Sequence, residues 1–263
     1  MDLPRLQLFE FNDLPGAPAP VRDTVVESLS HTLEWGRILQ NLVAPFQTFL
    51  SLAGTREILD LGAGGGAPAR ILASEMARIG ARPPRFVLTD LHPRVDVWTR
   101  TRDRHPGVID FEPSPVDATN IPPGLAEGRA RILINVMHHF SPALASAILA
   151  DAVRGSRGIF IAESFERSPV QFGNLLPAGL PALLLNPILS PRDRLAKACL
   201  TWFSPAAVAI SLWDGIVSTL RIHSEADLRA MVAPFGGGWT WEYGTFSYFP
   251  RGTGTYFYGV PRG

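Results

Sequence analysis

The chain has 263 residues, 46% of them hydrophobic, enough to bury the core of one full α/β domain with an elaboration. Lys plus Arg and Asp plus Glu number 24 each, and this zero net charge argues against nucleic acid as a partner, since phosphates need a basic face. The single cysteine, Cys199, excludes an internal disulfide framework and a CxxC zinc cluster; it reads as a small core residue, and no metal is expected.

The start, Met1-Asp2-Leu3-Pro4-Arg5, lacks the pattern of a secretory leader, so a cytoplasmic location is expected. Prolines mark residues 1–20 as an extended arm. Apolar residues then recur at Val25, Leu29 and Leu33 and at Leu39, Leu42, Phe46 and Phe49, which predicts two amphipathic helices with breaks at Gly36 and Pro45. Glu57–Leu61 reads as a buried strand entering a turn, 70–79 as a helix, and 86–89 as a second strand ending at Asp90. In 94–104, arginines interleaved with Asp96 and Asp103 read as a solvated surface. A third strand is expected over 110–116, a fourth over 131–136, a helix over 143–153, and a fifth strand over 158–162 ending at Glu163.

No charged residue stands between 168 and 191, nor between 198 and 213. The first stretch is long enough to cross a bilayer, but Pro169, Pro177, Pro181, Pro187 and Pro191 interrupt the hydrogen bonding that lipid demands, so no transmembrane span is expected. Both stretches read as a buried cap in which Trp202, Phe203 and Trp213 pack. Its apolar face also admits interfacial membrane contact or a homodimer. A helix over 224–232 and strands over Trp239–Tyr248 and 255–260 close the chain. The expected architecture is a doubly wound, mostly parallel seven-stranded α/β sheet. It divides into an N-terminal arm and helices (1–54), a cofactor-binding core (55–164), an apolar cap insertion (165–223), and a closing helix and strand pair (224–263).

In an open α/β sheet, ligands bind beyond the carboxyl ends of the strands where strand order reverses. The first such end is Asp60-Leu61-Gly62-Ala63-Gly64-Gly65-Gly66-Ala67, a loop whose glycines turn tightly and let a ligand approach the backbone. Gly62-x-Gly64-x-x-Ala67 also fits a dehydrogenase fingerprint, and Asp90 at the second tip suits the ribose of either nucleoside. Asp60 and Asp117 tip the balance. A pyrophosphate would be repelled by a carboxylate at the loop, whereas S-adenosylmethionine carries an ammonium and a sulfonium.

Glu57-Ile58-Leu59-Asp60-Leu61-Gly62-Ala63-Gly64-Gly65-Gly66, Leu88-Thr89-Asp90, Val116-Asp117-Ala118 and Asn135-Val136-Met137-His138-His139-Phe140 together resemble the ordered motifs of class I S-adenosylmethionine-dependent methyltransferases. Phe9-Glu10-Phe11-Asn12-Asp13, Val21-Arg22-Asp23 and Trp213-Asp214-Gly215-Ile216-Val217-Ser218-Thr219-Leu220-Arg221 resemble one bacterial and fungal subgroup of that class. The resemblance implies that Gly62, Ala63, Gly64 and Gly66 line the methionine portion, with Asp60 helping to hold its ammonium. It implies that Asp90 grips the ribose, Leu91 packs on adenine, Asp117 and Ala118 face the adenine edge, and the Asn135 carbonyl lies near the sulfonium.

Methyl transfer is an in-line displacement, so positioning and desolvation supply much of the catalysis, and a high-pKa acceptor gains from a base. His139 is the favoured base, His138 the second, and Glu163 a further contact to the acceptor or a partner for Arg221. Asp214 and Arg221 read as pins between cap and core, or as the polar end of the acceptor pocket. The apolar lid, with Leu183, Leu184 and Leu185 at its centre, selects a small hydrophobic or aromatic acceptor of secondary metabolism. A non-catalytic S-adenosylmethionine-binding protein and an NAD-dependent dehydrogenase are the competing readings.

Overall fold

Five short apolar runs form the parallel part of the sheet in the computed structural model, which describes residues 4–14, 16–190 and 192–262. Met1, Asp2, Leu3, Pro15, Pro191 and Gly263 lie outside them, so the first residues of the arm and the last cap proline fall outside the described residues. Strands β1 (Glu57–Leu61), β2 (Arg85–Thr89), β3 (Ile109–Phe111), β4 (Ala130–Ile134) and β5 (Ile159–Glu163) pair in parallel. The hairpin β6 (Trp239–Tyr248) and β7 (Gly252–Pro261) closes the sheet, with β7 antiparallel to β5. The order is β3-β2-β1-β4-β5-β7-β6, so strand order reverses between β1 and β4. That reversal opens the crevice in which α/β proteins bind ligands.

Helices α1 (Ala19–Trp35), α2 (Val43–Ala53), α3 (Ala67–Arg78), α4 (Val95–Arg104), α5 (Pro123–Ala126) and α6 (Pro142–Gly155) precede or connect the parallel strands. The cap contains α7 (Pro169–Phe172), α8 (Leu176–Leu189), α9 (Arg194–Ala198) and α10 (Ala206–Arg221), and α11 (Glu225–Val232) leads into the hairpin. Strand residues alternate between two buried layers. Ile58, Ile132 and Phe160 pack with Phe46 and Phe49 of α2 on one face; Leu59, Leu133 and Ile161 pack with Ile148 and Leu149 of α6 on the other. Ser224 and Asp227 form a capping box that starts α11.

Several local expectations are corrected. β3 stops at Phe111, because Pro113 and Pro115 supply no N–H for a ladder; Glu112 and Val116 still donate to the Leu88 and Asp90 carbonyls. Pro45 causes no break: it lies in the first turn of α2, where a missing N–H costs nothing. Cys199 is exposed rather than core. Trp202, Phe203 and Trp213 are also substantially exposed, with Phe203 at 82%. Helix α8 runs through Pro181 and Pro187, and Pro169–Leu189 is long and apolar enough by length and composition to cross a membrane. It packs along α1 instead, burying Ala182, Leu183 and Asn186; this tertiary contact overrides the proline penalty. Fully buried Lys197 anchors the cap by reaching Glu27 of α1 at 2.7 Å, and Asn186 donates to the same carboxylate at 3.1 Å.

Candidate active site

The loop after β1 takes its shape from three left-handed glycines, Gly62 (φ +67), Gly64 (φ +52) and Gly66 (φ +75). A Cβ on Gly62 would stand 2.7 Å from Val136, and one on Gly66 2.8 Å from Leu88, so packing demands glycine at both. At Gly64 a Cβ would meet nothing within 4 Å; the backbone there faces open space. Buried Trp98 of α4 braces the loop by donating to the Gly64 carbonyl at 2.9 Å.

Carboxylates surround this opening. Asp60 is 2% exposed, and its Oδ2 has no hydrogen-bond partner. Burial, and then the charge of Asp90, push its carboxyl well above the ordinary range. Asp90 accepts the Gly64 N–H at 2.9 Å and the His92 N–H at 2.8 Å, which ties the second strand tip to the glycine loop. Leu91 is 56% exposed beside it. Ala63 is buried within the loop, donating its N–H to the Thr89 carbonyl. Asp117 is exposed and accepts both the N–H and the hydroxyl of Thr119, while Ala118 is half-buried.

At the tip of β4, Asn135 adopts a left-handed φ of +57, which asparagine tolerates, and its Oδ1 accepts the Ser164 N–H at 2.7 Å. The turn that follows carries the two histidines. Glu163 at the tip of β5 accepts the backbone N–H of His138 at 3.0 Å, and its other oxygen lies 2.8 Å from the His138 Nδ1. Both side chains are buried. Glu163 therefore pairs with His138, not with Arg221. His139 is half-exposed, and its Nδ1 is engaged by Asp13 at 3.1 Å with Glu10 at 3.6 Å.

Glu10 and Asp13 come from the arm, whose contacts were not evident from its sequence. Asp214 of α10 accepts the Phe11 and Asn12 N–H groups at 2.7 and 3.0 Å. Arg221 reaches Asp13 at 2.6 Å and Glu10 at 3.1 Å, and Ser218 donates to Glu10 at 3.0 Å. The indole of Trp213 donates to the Phe9 carbonyl at 3.0 Å. Asp214 and Arg221 thus pin the arm to the cap rather than the cap to the core. The only sequence signal was that these two segments belong to the same subgroup resemblance. Burial raises the Glu10 carboxyl, partly offset by His139 and Arg221; in Asp13 the same two partners outweigh burial and hold it below its ordinary range. Glu10, His138 and His139 bring ligand-type atoms within 4.8 Å of one another, with the Arg221 guanidinium already providing Glu10 with a counter-charge.

These groups form one end of a cavity of about 160 Å³. Its walls come from α1 (Val25, Ser28, Leu29, Thr32), from the cap (Phe172, Leu175, Leu180, Leu183) and from α10. Gly215 is required in the α10 wall, since a Cβ there would stand 2.2 Å from the Phe172 ring. Of the three central lid leucines, Leu183 lines the cavity, while Leu184 and Leu185 point to the exterior. Asn135 lines it too, and α1 passes close to Gly65 through Val26 and Ser30, so the glycine loop and the cavity share two walls.

No protein-family model matches the chain, and no curated protein matches it in sequence. Its architecture is similar to that of solved methyltransferase structures. One is an O-methyltransferase from neocarzinostatin biosynthesis, in complex with S-adenosylmethionine and 2-hydroxy-5-methyl naphthoic acid. It is 15% identical, with a TM-score of 0.53 over 93% of this chain and 59% of that one. Another is an inferred O-methyltransferase from Nostoc punctiforme, 13% identical, with a TM-score of 0.52 over 98% of this chain and 64% of that one. The chain spans less than two thirds of either protein. The fold is that of the class I S-adenosylmethionine-dependent methyltransferases.

Proposed function

We propose that the chain transfers the methyl group of S-adenosylmethionine to an oxygen, nitrogen or carbon of a small, largely hydrophobic or aromatic acceptor, in secondary metabolism. The observation that carries this reading is the junction at Asn135 and Val136. Val136 packs on Gly62 of the glycine loop, while Asn135 opens into the apolar cavity, so a cofactor on one side meets an acceptor on the other. The open space at Gly64 and the unpartnered Asp60 oxygen fit the amino-acid portion of the cofactor. Asp60 would hold its ammonium, Asp90 the ribose, Leu91 the adenine face, and Asp117 with Ala118 the adenine edge. The naphthoic acid bound by the neocarzinostatin enzyme supports an aromatic acceptor.

Held by these residues, the cofactor would supply an electrophilic methyl group on a sulfonium. The chain's own contribution is to exclude water, orient the acceptor and take its proton. His138 suits the last task better than His139, because Glu163 fixes its Nδ1 and leaves Nε2 without a protein partner among the described residues. An acceptor proton passing to Nε2 creates an imidazolium that the Glu163 carboxylate stabilises. His139 has a carboxylate on its Nδ1 in the same way, but that partner, Asp13, is more exposed and already paired with Arg221, so it stabilises a positive imidazole less than buried Glu163 does.

Calorimetric titration with S-adenosylmethionine tests the cofactor half. Asp90→Ala is expected to weaken binding by about tenfold to a hundredfold, through lost hydrogen bonds to a charged acceptor. Equal affinity in the variant removes the nucleoside assignment. Incubation with labelled cofactor and an extract of small apolar metabolites tests transfer.

A further inference from the structure

The cavity wall supplied by α10 is a single stripe, with Val208, Ser211, Asp214, Gly215 and Ser218 all facing it at helical spacing. Ser218 marks the pole at which Glu10, His138 and His139 meet. Ser211 lies two turns earlier on the same stripe, about 10 Å away by helix rise. Its hydroxyl oxygen is buried and has no hydrogen-bond partner, and the same holds for Ser28 on the α1 wall, a residue only 5% exposed. Around them the lining is aliphatic, with Leu29, Leu180 and Leu212. Buried polar groups in folded proteins are normally paired, because an unpaired one costs a desolvation penalty that nothing offsets. Two orphaned hydroxyls in the lining of one cavity, with Ser211 two helical turns from the histidine pole, therefore mark where the occupant supplies the missing partner.

We infer that the acceptor is bipolar: an apolar skeleton with its reacting group at the Glu10–His138 pole and a second hydrogen-bonding oxygen met by Ser211 and Ser28. Poles about 10 Å apart, each contacted at about 2.8 Å, leave roughly 5–10 Å between the acceptor's two oxygens. That is the span of two fused aromatic rings carrying oxygens at opposite ends. This inference rests on the acceptor-cavity reading above and narrows it.

A matched pair of probes tests it: 2,6-dihydroxynaphthalene, with a hydroxyl at each end, and 2-naphthol, which lacks the second. Their affinities are measured by calorimetry on the full chain in the presence of S-adenosylhomocysteine, whose own binding is measured first. The diol is expected to bind about five- to thirtyfold more tightly than the mono-ol. The ratio of the two affinities is the readout. It should fall towards one in Ser211→Ala, decline partly in Ser28→Ala, and return in Ser211→Thr. Equal binding of the two probes to the unmodified chain, or a ratio unmoved in Ser211→Ala, overturns the second pole and leaves the methyl-transfer reading standing. Failure of both probes to bind while S-adenosylhomocysteine binds overturns the acceptor cavity itself and this inference with it. Failure of S-adenosylhomocysteine alone overturns the cofactor reading, and the probe ratio measured on the free chain still decides the second pole.

Discussion

Glu163 holds His138 with both carboxylate oxygens, one on the backbone N–H at 3.0 Å and one at the ring Nδ1 at 2.8 Å. The double contact fixes the main chain and the ring together, so the imidazole has little freedom to turn its Nε2 away from the cavity. His138→Gln is expected to lower kcat by about 10²–10⁴-fold with cofactor affinity retained. Glu163→Gln keeps the shape but loses the charge that stabilises an imidazolium, and should fall between the wild type and that variant. His139→Gln should cost less than either. Steady-state kinetics with one methylated probe decide the order, and a His139 variant slower than the His138 variant reverses the assignment.

Asp60 carries a different consequence. Its folded-state carboxyl sits well above its ordinary value because burial disfavours the charge and Asp90 adds like-charge repulsion. A folded protein that binds this proton more tightly than the unfolded chain is most favoured at low pH and loses that advantage as pH rises towards the folded-state value. At neutral pH the residue is therefore a local liability. Asp60→Asn should raise the Tm of the ligand-free protein by a few degrees and weaken S-adenosylmethionine binding at least tenfold. Thermal melts with and without cofactor read both effects, and a variant that loses stability and keeps affinity contradicts this account.

Beside the Arg221, Ser218 and Trp213 contacts, Asp214 holds the arm by taking two consecutive backbone N–H groups. Hydrogen bonds to a charged acceptor contribute about 1.5–3 kcal/mol each. Asp214→Ala should free residues 4–14 while the sheet stays folded. Limited proteolysis is expected to cleave the arm of the variant first, and the acceptor KM should rise about tenfold or more with cofactor affinity unchanged. An arm equally protected in the variant would show that other contacts suffice.

His223 sets an acid limit. Burial, and then the charge of Arg5, lower it to about 4, while its Nε2 lies 3.1 Å from the Phe140 carbonyl and its Nδ1 has no partner. A base whose folded value is depressed leaves stability intact above the unfolded value near 6.5, and that stability drains away as pH falls through the window down to about 4. The loss amounts to about 2–3 kcal/mol across the window. His223→Gln can still donate to Phe140 and should flatten this part of a denaturant-midpoint profile against pH. An unchanged slope between pH 6.5 and 4 assigns the acid sensitivity elsewhere.

The strand tips are legible in the sequence because each couples an apolar run to a residue with a distinct backbone or charge requirement: Asp60 with its glycines, Asp90, Asn135 and Glu163. Hydrophobic period and turn chemistry agree there, and the seven-stranded order follows. The proline-rich parts are less legible. Pro113 and Pro115 shorten β3, whereas Pro181 and Pro187 are absorbed by α8, because packing on α1 decides and no local rule contains it. The arm is hidden for a related reason: Phe11 and Asp214 are 203 positions apart, and no periodicity connects them. The Glu163–His138 pairing is also non-local, joining two strand tips.

The clasp between arm and α10 also bears on when the cavity it lines can assemble. Contacts this distant in sequence close a loop of about 200 residues, and loop closure of that kind is slow and late. The parallel pairing of β1 to β5 is made within residues 57–163, although β5 also pairs with β7, so much of that part of the sheet can form as it is made. During synthesis the arm emerges before α10 and waits for it before Glu10 and Asn12 reach their places in the cavity wall. Ability to bind the cofactor should thus precede ability to bind the acceptor on the folding path.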